Sequence, residues 1–172
     1  MWNLLFVVLV TLWIARRLSM REWIGSGPWK WWWFVAPIVL LAVAHSMNNA
    51  WINTRPADYA TLDWTAELVT GAKSIGGVPL AVFLICVAVP LIEEFVFRAC
   101  LLGGLTRHIS FGWANIVQAV IFVALHQNSR AFAFLVTFAL VQGWMTRKTR
   151  GLGIPILTHA GVNEMYVWAF YA

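Results

Sequence analysis

Residues 79–102 read PLAVFLICVAVPLIEEFVFRACLL, and this run identifies the kind of protein the chain forms. Its only charged residues are Glu93, Glu94 and Arg98, and nearly all the others are apolar. A helix of about 20 apolar residues crosses the hydrocarbon core of a bilayer, so the run predicts a transmembrane helix. Ionisable side chains inside such a helix are rare and costly, which makes these three residues functional candidates.

The composition of the whole chain places it in a membrane. Of 172 residues, 61% are hydrophobic and 11% are charged, and the mean hydropathy is +0.74. Soluble domains average roughly 45–50% apolar and about 25% charged residues. A soluble globular fold is therefore excluded. We expect one integral-membrane domain over residues 1–172, with the functional core at about 79–172.

Apolar runs along the chain predict an all-α, polytopic membrane helix bundle with about six transmembrane helices. The runs cover residues 2–15, 31–51, 79–102, 113–126, 131–146 and 153–171. The first run has no basic region before it and no small-residue cleavage site after it, so we expect a spanning helix rather than a removed signal peptide.

The segments between the runs are predicted to be connections. We expect a loop at 16–30, and a polar extracytoplasmic connection at 52–78 with one amphipathic turn near 62–69. The glycine pair at 103–104 is predicted to end the third helix.

Basic residues predict the orientation of this bundle. If the six runs alternate across the bilayer, eight Lys and Arg residues fall on one side and three on the other. The side rich in basic residues is expected to face the cytoplasm, with both termini outside it. Because the net charge of +5 is explained by these loops, and the 12 tryptophans suit a membrane interface, we expect no nucleic-acid partner.

The two cysteines are predicted to pack rather than to form a disulfide. Cys86 and Cys100 are 14 residues apart in one apolar run, which is about 21 Å along a helix. That separation is too long for a disulfide between them.

Four further polar residues in spanning runs join the candidates in 79–102: His126, His159, Asn163 and, facing another direction, Glu164. Glu94 and Arg98 are four residues apart on one helix face and are predicted to form an ion pair. Glu93 is rotated by about 100° from Glu94 and does not share that partner. His45 is interpreted as a structural residue, and His108 as a loop residue.

The predicted depths allow three of these groups to meet. Counted from the cytoplasmic helix ends at about 1.5 Å per residue, Glu93 lies roughly 13 Å deep, His126 roughly 20 Å and His159 roughly 9 Å. A carboxylate with an imidazole can take a proton from water, and an imidazole with an amide can stabilise an oxyanion. Peptide-bond hydrolysis is the reaction that this set favours.

Two other interpretations remain open. One Glu with two His residues is also a catalytic zinc set, with Glu94 then available as the base. A non-catalytic immunity or scaffold protein would keep the same residues for packing. Loss of activity in a chelator, restored by zinc, would distinguish the zinc protease from a metal-free protease. An unchanged phenotype after Glu93→Gln would distinguish the non-catalytic protein from both proteases.

Three motifs resemble those of a known family. Glu93 to Arg98 matches EExxxR, Phe122 to His126 matches FxxxH, and His159 to Asn163 matches HxxxN. In this order on separate hydrophobic helices, they are similar to the CPBP family of CAAX proteases and bacteriocin-processing membrane proteins, which includes the type II CAAX prenyl endopeptidases. The resemblance covers residues 93–163.

The resemblance implies an intramembrane glutamic endopeptidase in a prokaryotic plasma membrane. Glu93 and His126 would activate water, His159 and Asn163 would form the oxyanion site, and Glu94 and Arg98 would support them. No cofactor is implied. The implied partners are the lipid bilayer and a membrane-anchored or lipid-modified protein substrate. Compact relatives are associated with cleavage of C-terminal sorting tags, which suggests a peptide bond near a substrate's C-terminus.

Overall fold

The computed structural model of the chain describes residues 16, 19–27, 30, 32–52, 54, 64–129 and 131–171. All regular structure in these residues is helical, and none of them lies in a strand. The predicted helix at 2–15 lies outside the described residues.

Helices make up most of the described part of the chain, and we number them in order. They are α1 (Met20–Ile24), α2 (Trp32–Ile52), α3 (residues 64–105), α4 (Phe111–His126), α5 (Phe132–Thr149) and α6 (Gly153–Tyr171). Helix α3 has five consecutive segments: Trp64–Phe83, the π-helical Leu84–Ala88, Val89–Glu94, the π-helical Phe95–Leu102, and Gly103–Leu105. The predicted all-α membrane bundle is confirmed, and the predicted helices at 31–51, 113–126, 131–146 and 153–171 correspond to α2, α4, α5 and α6.

The predicted polar connection at 52–78 is wrong from Trp64 onward, where α3 already begins. Its few charged residues do not prevent a helix, because Glu67 lies in the first turn, where a carboxylate favours the helix dipole. The break comes at Gly77, whose φ of 70° bends the helix just before Pro79. The segment therefore continues into the spanning run instead of forming a separate loop.

Two other predicted boundaries also differ from the structure. The glycine pair at 103–104 does not end α3, which continues to Leu105. The backbone N–H of Thr106 donates to the Leu102 carbonyl, and that of Gly103 donates to carbonyls of the preceding turn. The helix therefore continues through the two glycines without a break. The predicted loop at 16–30 contains α1, a five-residue helix that begins with a capping box between Ser19 and Glu22.

Helix α3 also supplies the clearest membrane span among the described residues. Its stretch Thr70–Leu105 is long and apolar enough to cross a bilayer, and an 18-residue window within it has a mean hydropathy of 2.6. The apolar helical stretches Ile38–Ala50 and Phe111–His126 are shorter. Large apolar side chains such as Ile38, Val120 and Leu125 are exposed on the bundle surface, as expected for contact with lipid. The orientation of the bundle in the membrane stays a prediction.

The main apolar core lies where α2, α3, α4 and α5 meet. Its buried members are Leu41, Phe97, Ala119, Phe122, Val123, Phe138 and Ala139. Uncharged amides add polar contacts between α4 and α5: Gln118 donates to the Ala139 carbonyl at 2.9 Å and Asn115 to the Leu140 carbonyl at 3.0 Å. Gly143 leaves room for this approach, because a side chain there would overlap the Asn115 amide.

The segment containing α1 packs on the turn between α5 and α6. Its backbone N–H at Gly27 donates to the Thr149 carbonyl at 2.8 Å, and Leu152 donates back to the carbonyls of Glu22 and Trp23 at 3.1 Å. The Trp23 ring also stacks on Phe95, with centroids 6.0 Å apart. A part of the chain that precedes every motif is therefore bound to the motif-bearing core.

We expect Gly25→Ala to destabilise the protein by about 1–3 kcal/mol. Gly25 has a φ of 106°, and a Cβ atom there would lie 2.6 Å from the Thr149 carbonyl oxygen. The free energy of unfolding in detergent, followed by tryptophan fluorescence during SDS titration, measures the loss.

The matched control is Gly71→Ala, because a Cβ atom at Gly71 meets nothing within 4 Å. This variant is expected to be as stable as the wild type or slightly more stable, since Ala favours a helix more than Gly does. Equal stability of Gly25→Ala and the wild type would contradict the packing described for α1.

Candidate active site

Helix α3 places two carboxyl groups at a change in helical geometry. Glu93 and Glu94 end the α-helical segment Val89–Glu94, and the π-helical segment Phe95–Leu102 follows at once. π-Helical turns inside α-helices are rare, and those that occur are often located at functional sites. The two adjacent carboxylates point in different directions and have different partners.

Glu94 is fully buried and has three polar neighbours from three helices. Its Oε2 lies 3.1 Å from Nε of Arg98, so the predicted ion pair is present. Its Oε1 lies 2.7 Å from Nδ1 of His159 and 3.5 Å from Nε2 of Gln142. The charge of Glu94 is compensated by the neighbouring Arg98 cation and by the hydrogen bonds at Oε1, whereas Oε2 makes no hydrogen bond to the described residues.

Arg98 is also fully buried, and aromatic rings surround its charge. Its Cζ lies 4.9 Å from the centroid of the Phe122 ring, with Phe97 and Phe138 at about 6 Å. An aromatic face attracts a guanidinium through the ring quadrupole. The ion pair thus ties α3 to α4 and α5 through these rings and to α6 through His159.

Glu93 faces the other way, toward two imidazole rings. Its Oε2 lies 3.9 Å from Nε2 of His126 and 3.8 Å from Nε2 of His159. Among the described residues, this oxygen has no donor within hydrogen-bonding distance. The side chains of Glu93 and His126 are each about 15% exposed, although Oε2 of Glu93 itself is buried.

Both imidazoles are oriented through Nδ1. His126 Nδ1 is 2.8 Å from the carbonyl oxygen of Phe122, one turn earlier on α4. A carbonyl only accepts, so this contact requires a proton on Nδ1 of His126. His159 Nδ1 meets the Glu94 carboxylate instead. In consequence, the Nε2 atoms of both rings are the ones that face Glu93.

Asn163 lies one turn beyond His159 on α6 and reaches back to α3. Its Nδ2 donates to the carbonyl oxygen of Ile85 at 2.8 Å. Ile85 lies in the π-helical segment Leu84–Ala88, where the backbone departs from the regular α-helical pattern. An amide nitrogen carries two hydrogens, so one N–H of Asn163 remains for another acceptor.

The structure therefore brings Glu93, Glu94, Arg98, His126 and His159 into one cluster, with Asn163 beside it. Glu164 is exposed and outside this cluster. His45 lies on α2, where its ring contacts Asn49 and Phe134. Cys86 and Cys100 are both free thiols, as predicted.

Sequence reasoning missed Gln142, Phe138 and the Ile85 carbonyl. Gln142 is fully buried and contacts Glu94, but it has no charge and belongs to no recognised motif. The available signal was a lone amide in an apolar stretch of α5, and such residues commonly form interhelical hydrogen bonds. The role of the Ile85 carbonyl could not be predicted, because every residue has a backbone carbonyl and the residue type does not indicate which one accepts from a distant side chain.

The zinc interpretation concerns Glu93, His126 and His159. Within the described ranges, no group of three or more His, Cys, Asp or Glu side chains has the arrangement of a metal site. Chemically, the Glu93 carboxylate and a neutral His126 ring would both present acceptor atoms to the space between them. A water molecule that donates to one and is deprotonated by another suits this arrangement.

Comparison with known proteins identifies relatives. The family model described as "Type II CAAX prenyl endopeptidase Rce1-like" matches residues 75–165. The Staphylococcus aureus (strain USA300) protein "Membrane-embedded CAAX protease MroQ" is 30% identical over 113 residues, covering 60% of this chain and 43% of that protein.

A second relative comes from Bacillus subtilis (strain 168). It is named "Putative membrane peptidase YdiL" and is 25% identical over 93 residues, covering 54% of this chain and 38% of that protein. The chain thus matches about two fifths of the length of each of these two relatives. No solved structure matches the chain significantly.

We expect Arg98→Met to destabilise the protein by about 3–5 kcal/mol, because it leaves the buried Glu94 carboxylate without its cation. Unfolding in detergent measures the loss. The double variant with Glu94→Gln removes both charges, so its loss is expected to be clearly smaller than the sum of the two single losses. If the stability loss of the double variant equals the sum of the two single losses, Glu94 and Arg98 are not energetically coupled.

Proposed function

This chain belongs to the type II CAAX prenyl endopeptidase Rce1-like family, and on that premise we propose that it is an intramembrane endopeptidase of the glutamic type. The family and its named relatives support a membrane protease acting on a protein substrate. The observation that supports the glutamic mechanism is the approach of two imidazole Nε2 atoms to one oxygen of Glu93, at 3.8 and 3.9 Å.

In the proposed reaction, a water molecule binds between Glu93 Oε2 and Nε2 of His126. Both atoms are acceptors, and a water hydrogen-bonded to each at about 2.8 Å fits a separation of 3.9 Å. Glu93 removes one proton from this water as its oxygen attacks the carbonyl carbon of the scissile peptide bond. The same proton then passes to the amine nitrogen as the tetrahedral intermediate collapses.

His159 and Asn163 are proposed to stabilise the oxyanion of that intermediate. Nδ1 of His159 already shares a proton with Glu94, so donation through Nε2 requires the doubly protonated ring. Asn163 contributes the N–H that is not used by the Ile85 carbonyl. Donors held in place before the reaction are the usual source of such stabilisation.

The substrate is proposed to be a membrane-anchored or lipid-modified protein cleaved near its C-terminus, with a C-terminal sorting tag as one such substrate. Glu93 lies within the apolar stretch Thr70–Leu105, and exposed apolar side chains such as Val87 and Leu91 lie close to it on the same helix. We propose that a substrate segment with an apolar anchor brings the scissile bond to Glu93. The proposed setting is the plasma membrane of a prokaryote, which agrees with the bacterial relatives.

We expect Glu93→Gln to reduce cleavage by at least about 100-fold, because the amide cannot accept the proton from water. The measurement compares C-terminal peptides of membrane and secreted proteins from native cells that express the wild type or the variant at matched levels. Specific C-termini should appear only with the wild type.

Glu164→Gln is the matched control, since it makes the same chemical change at an exposed position of α6. Its peptide profile should equal that of the wild type. If Glu93→Gln leaves both the profile and the cellular phenotype unchanged, the non-catalytic immunity or scaffold interpretation replaces the protease.

Because the proposed mechanism uses protein groups alone, we expect cleavage by the purified protein to be unaffected by a strong chelator. The rate of peptide release is compared before and after dialysis against EDTA and against 1,10-phenanthroline. Lost activity that returns on addition of Zn²⁺ would instead support the zinc-dependent mechanism.

A further inference from the structure

Gln142 occupies a position on α5 that no motif accounts for. Its side chain is fully buried, and it lies next to Glu94 in the cluster described above. Burial of an amide is unfavourable unless its hydrogen bonds are satisfied. Oε1 of Gln142 has no hydrogen-bond partner among the described residues, so the partners of Nε2 indicate why the residue is present.

The two N–H groups of this amide are directed to two different elements. One donates to the carbonyl oxygen of Pro155 at 2.9 Å, in the first turn of α6. The nitrogen also lies 3.5 Å from Glu94 Oε1 on α3, a long hydrogen bond. Gln142 thus lies between a carboxylate of α3 and the backbone of α6.

Both partners of Gln142 lead to His159. In the α6 helix, the Pro155 carbonyl is the acceptor for the backbone N–H of residue 159, one turn later. Glu94 Oε1 is the atom that accepts from the His159 ring at 2.7 Å. Gln142 therefore contacts the acceptor of the His159 backbone and the acceptor of the His159 side chain at the same time.

We propose that Gln142 is a positioning residue for His159. Its amide holds Glu94 Oε1 and the first turn of α6 at a fixed separation, so that Nδ1 of His159 meets Glu94 and Nε2 faces Glu93. Gln142 touches no reacting atom itself. The proposal rests on the proposed function for its effect on cleavage, whereas its effect on the His159 ring is independent of it.

Gln118 provides a matched comparison within the same protein. It is also a fully buried glutamine, and its amide also donates to a backbone carbonyl of a neighbouring helix, at Ala139. It also donates to Asn115, and within the described part of the chain it makes no hydrogen bond with Glu94 or His159. If interhelical bonding were the only role of Gln142, replacement of either glutamine by methionine would have similar consequences.

The test observes the Nδ1–H proton of His159 by NMR in the full-length protein, labelled with ¹⁵N-histidine and held in lipid nanodiscs. The protein has four histidines, so single His→Gln substitutions assign the signals. In the wild type we expect a slowly exchanging Nδ1–H signal for His159. Gln142→Met should increase its exchange with water at least tenfold or remove the signal, and Gln118→Met should leave it unchanged.

A second variant covers the case in which Gln142→Met does not fold. Gln142→Asn keeps a buried amide but shortens its reach by one methylene, so the same change in the His159 signal is expected. An unchanged His159 signal in a folded Gln142 variant overturns the proposal. Equal changes in the Gln142→Met and Gln118→Met proteins also overturn it, because they show only a general loosening of the bundle.

Cleavage gives the second readout. Gln142→Met is expected to lower kcat about tenfold with KM unchanged, by analogy with residues that orient metal-ligating histidines, whose loss typically costs roughly 10–100-fold. A normal kcat together with an altered His159 signal would contradict the catalytic part of the proposal. If Glu93→Gln retains full activity, the proposed function fails, while the NMR result still decides whether Gln142 positions His159.

Discussion

The buried ion pair between Glu94 and Arg98 is the interaction on which the rest of the site depends. Either charge alone would be strongly unfavourable inside an apolar bundle, so the two side chains have to stay together. Each then takes further partners from a different helix: the carboxylate contacts His159 and Gln142, and the guanidinium lies over the Phe122 ring. The need to compensate one buried pair thus orients side chains of α3, α4, α5 and α6.

Two neighbouring carboxyl groups are separated into different roles by their surroundings. Glu94 is surrounded by donors and fully buried, whereas Glu93 is partly exposed and faces the Nε2 atoms of two rings. The two side chains point in different directions because successive residues of a helix are rotated by about 100°. One carboxylate therefore serves as a fixed support, and the other remains available for chemistry with water.

How much of this site was predictable depends on the type of residue. Glu93, His126 and His159 stood out because ionisable groups in spanning helices are rare, and the Glu94–Arg98 pair followed from a spacing of four residues. Gln142 did not stand out, because an uncharged amide in an apolar helix is ordinary and its partners are distant in sequence. The contact of Asn163 with Ile85 was equally hidden, since it depends on a backbone carbonyl in a π-helical segment.

The sequence by itself determined the helical membrane fold, the run that spans the bilayer and the ionisable residues of the cluster, because hydropathy and helical spacing are local properties. It misjudged the start of α3, where a few charged residues in 52–78 suggested a loop. Only the tertiary structure decided which imidazole nitrogen faces Glu93 and which amide supports Glu94. Those outcomes depend on contacts between helices far apart in the chain, such as the 2.7 Å contact between His159 and Glu94, and no local pattern encodes them.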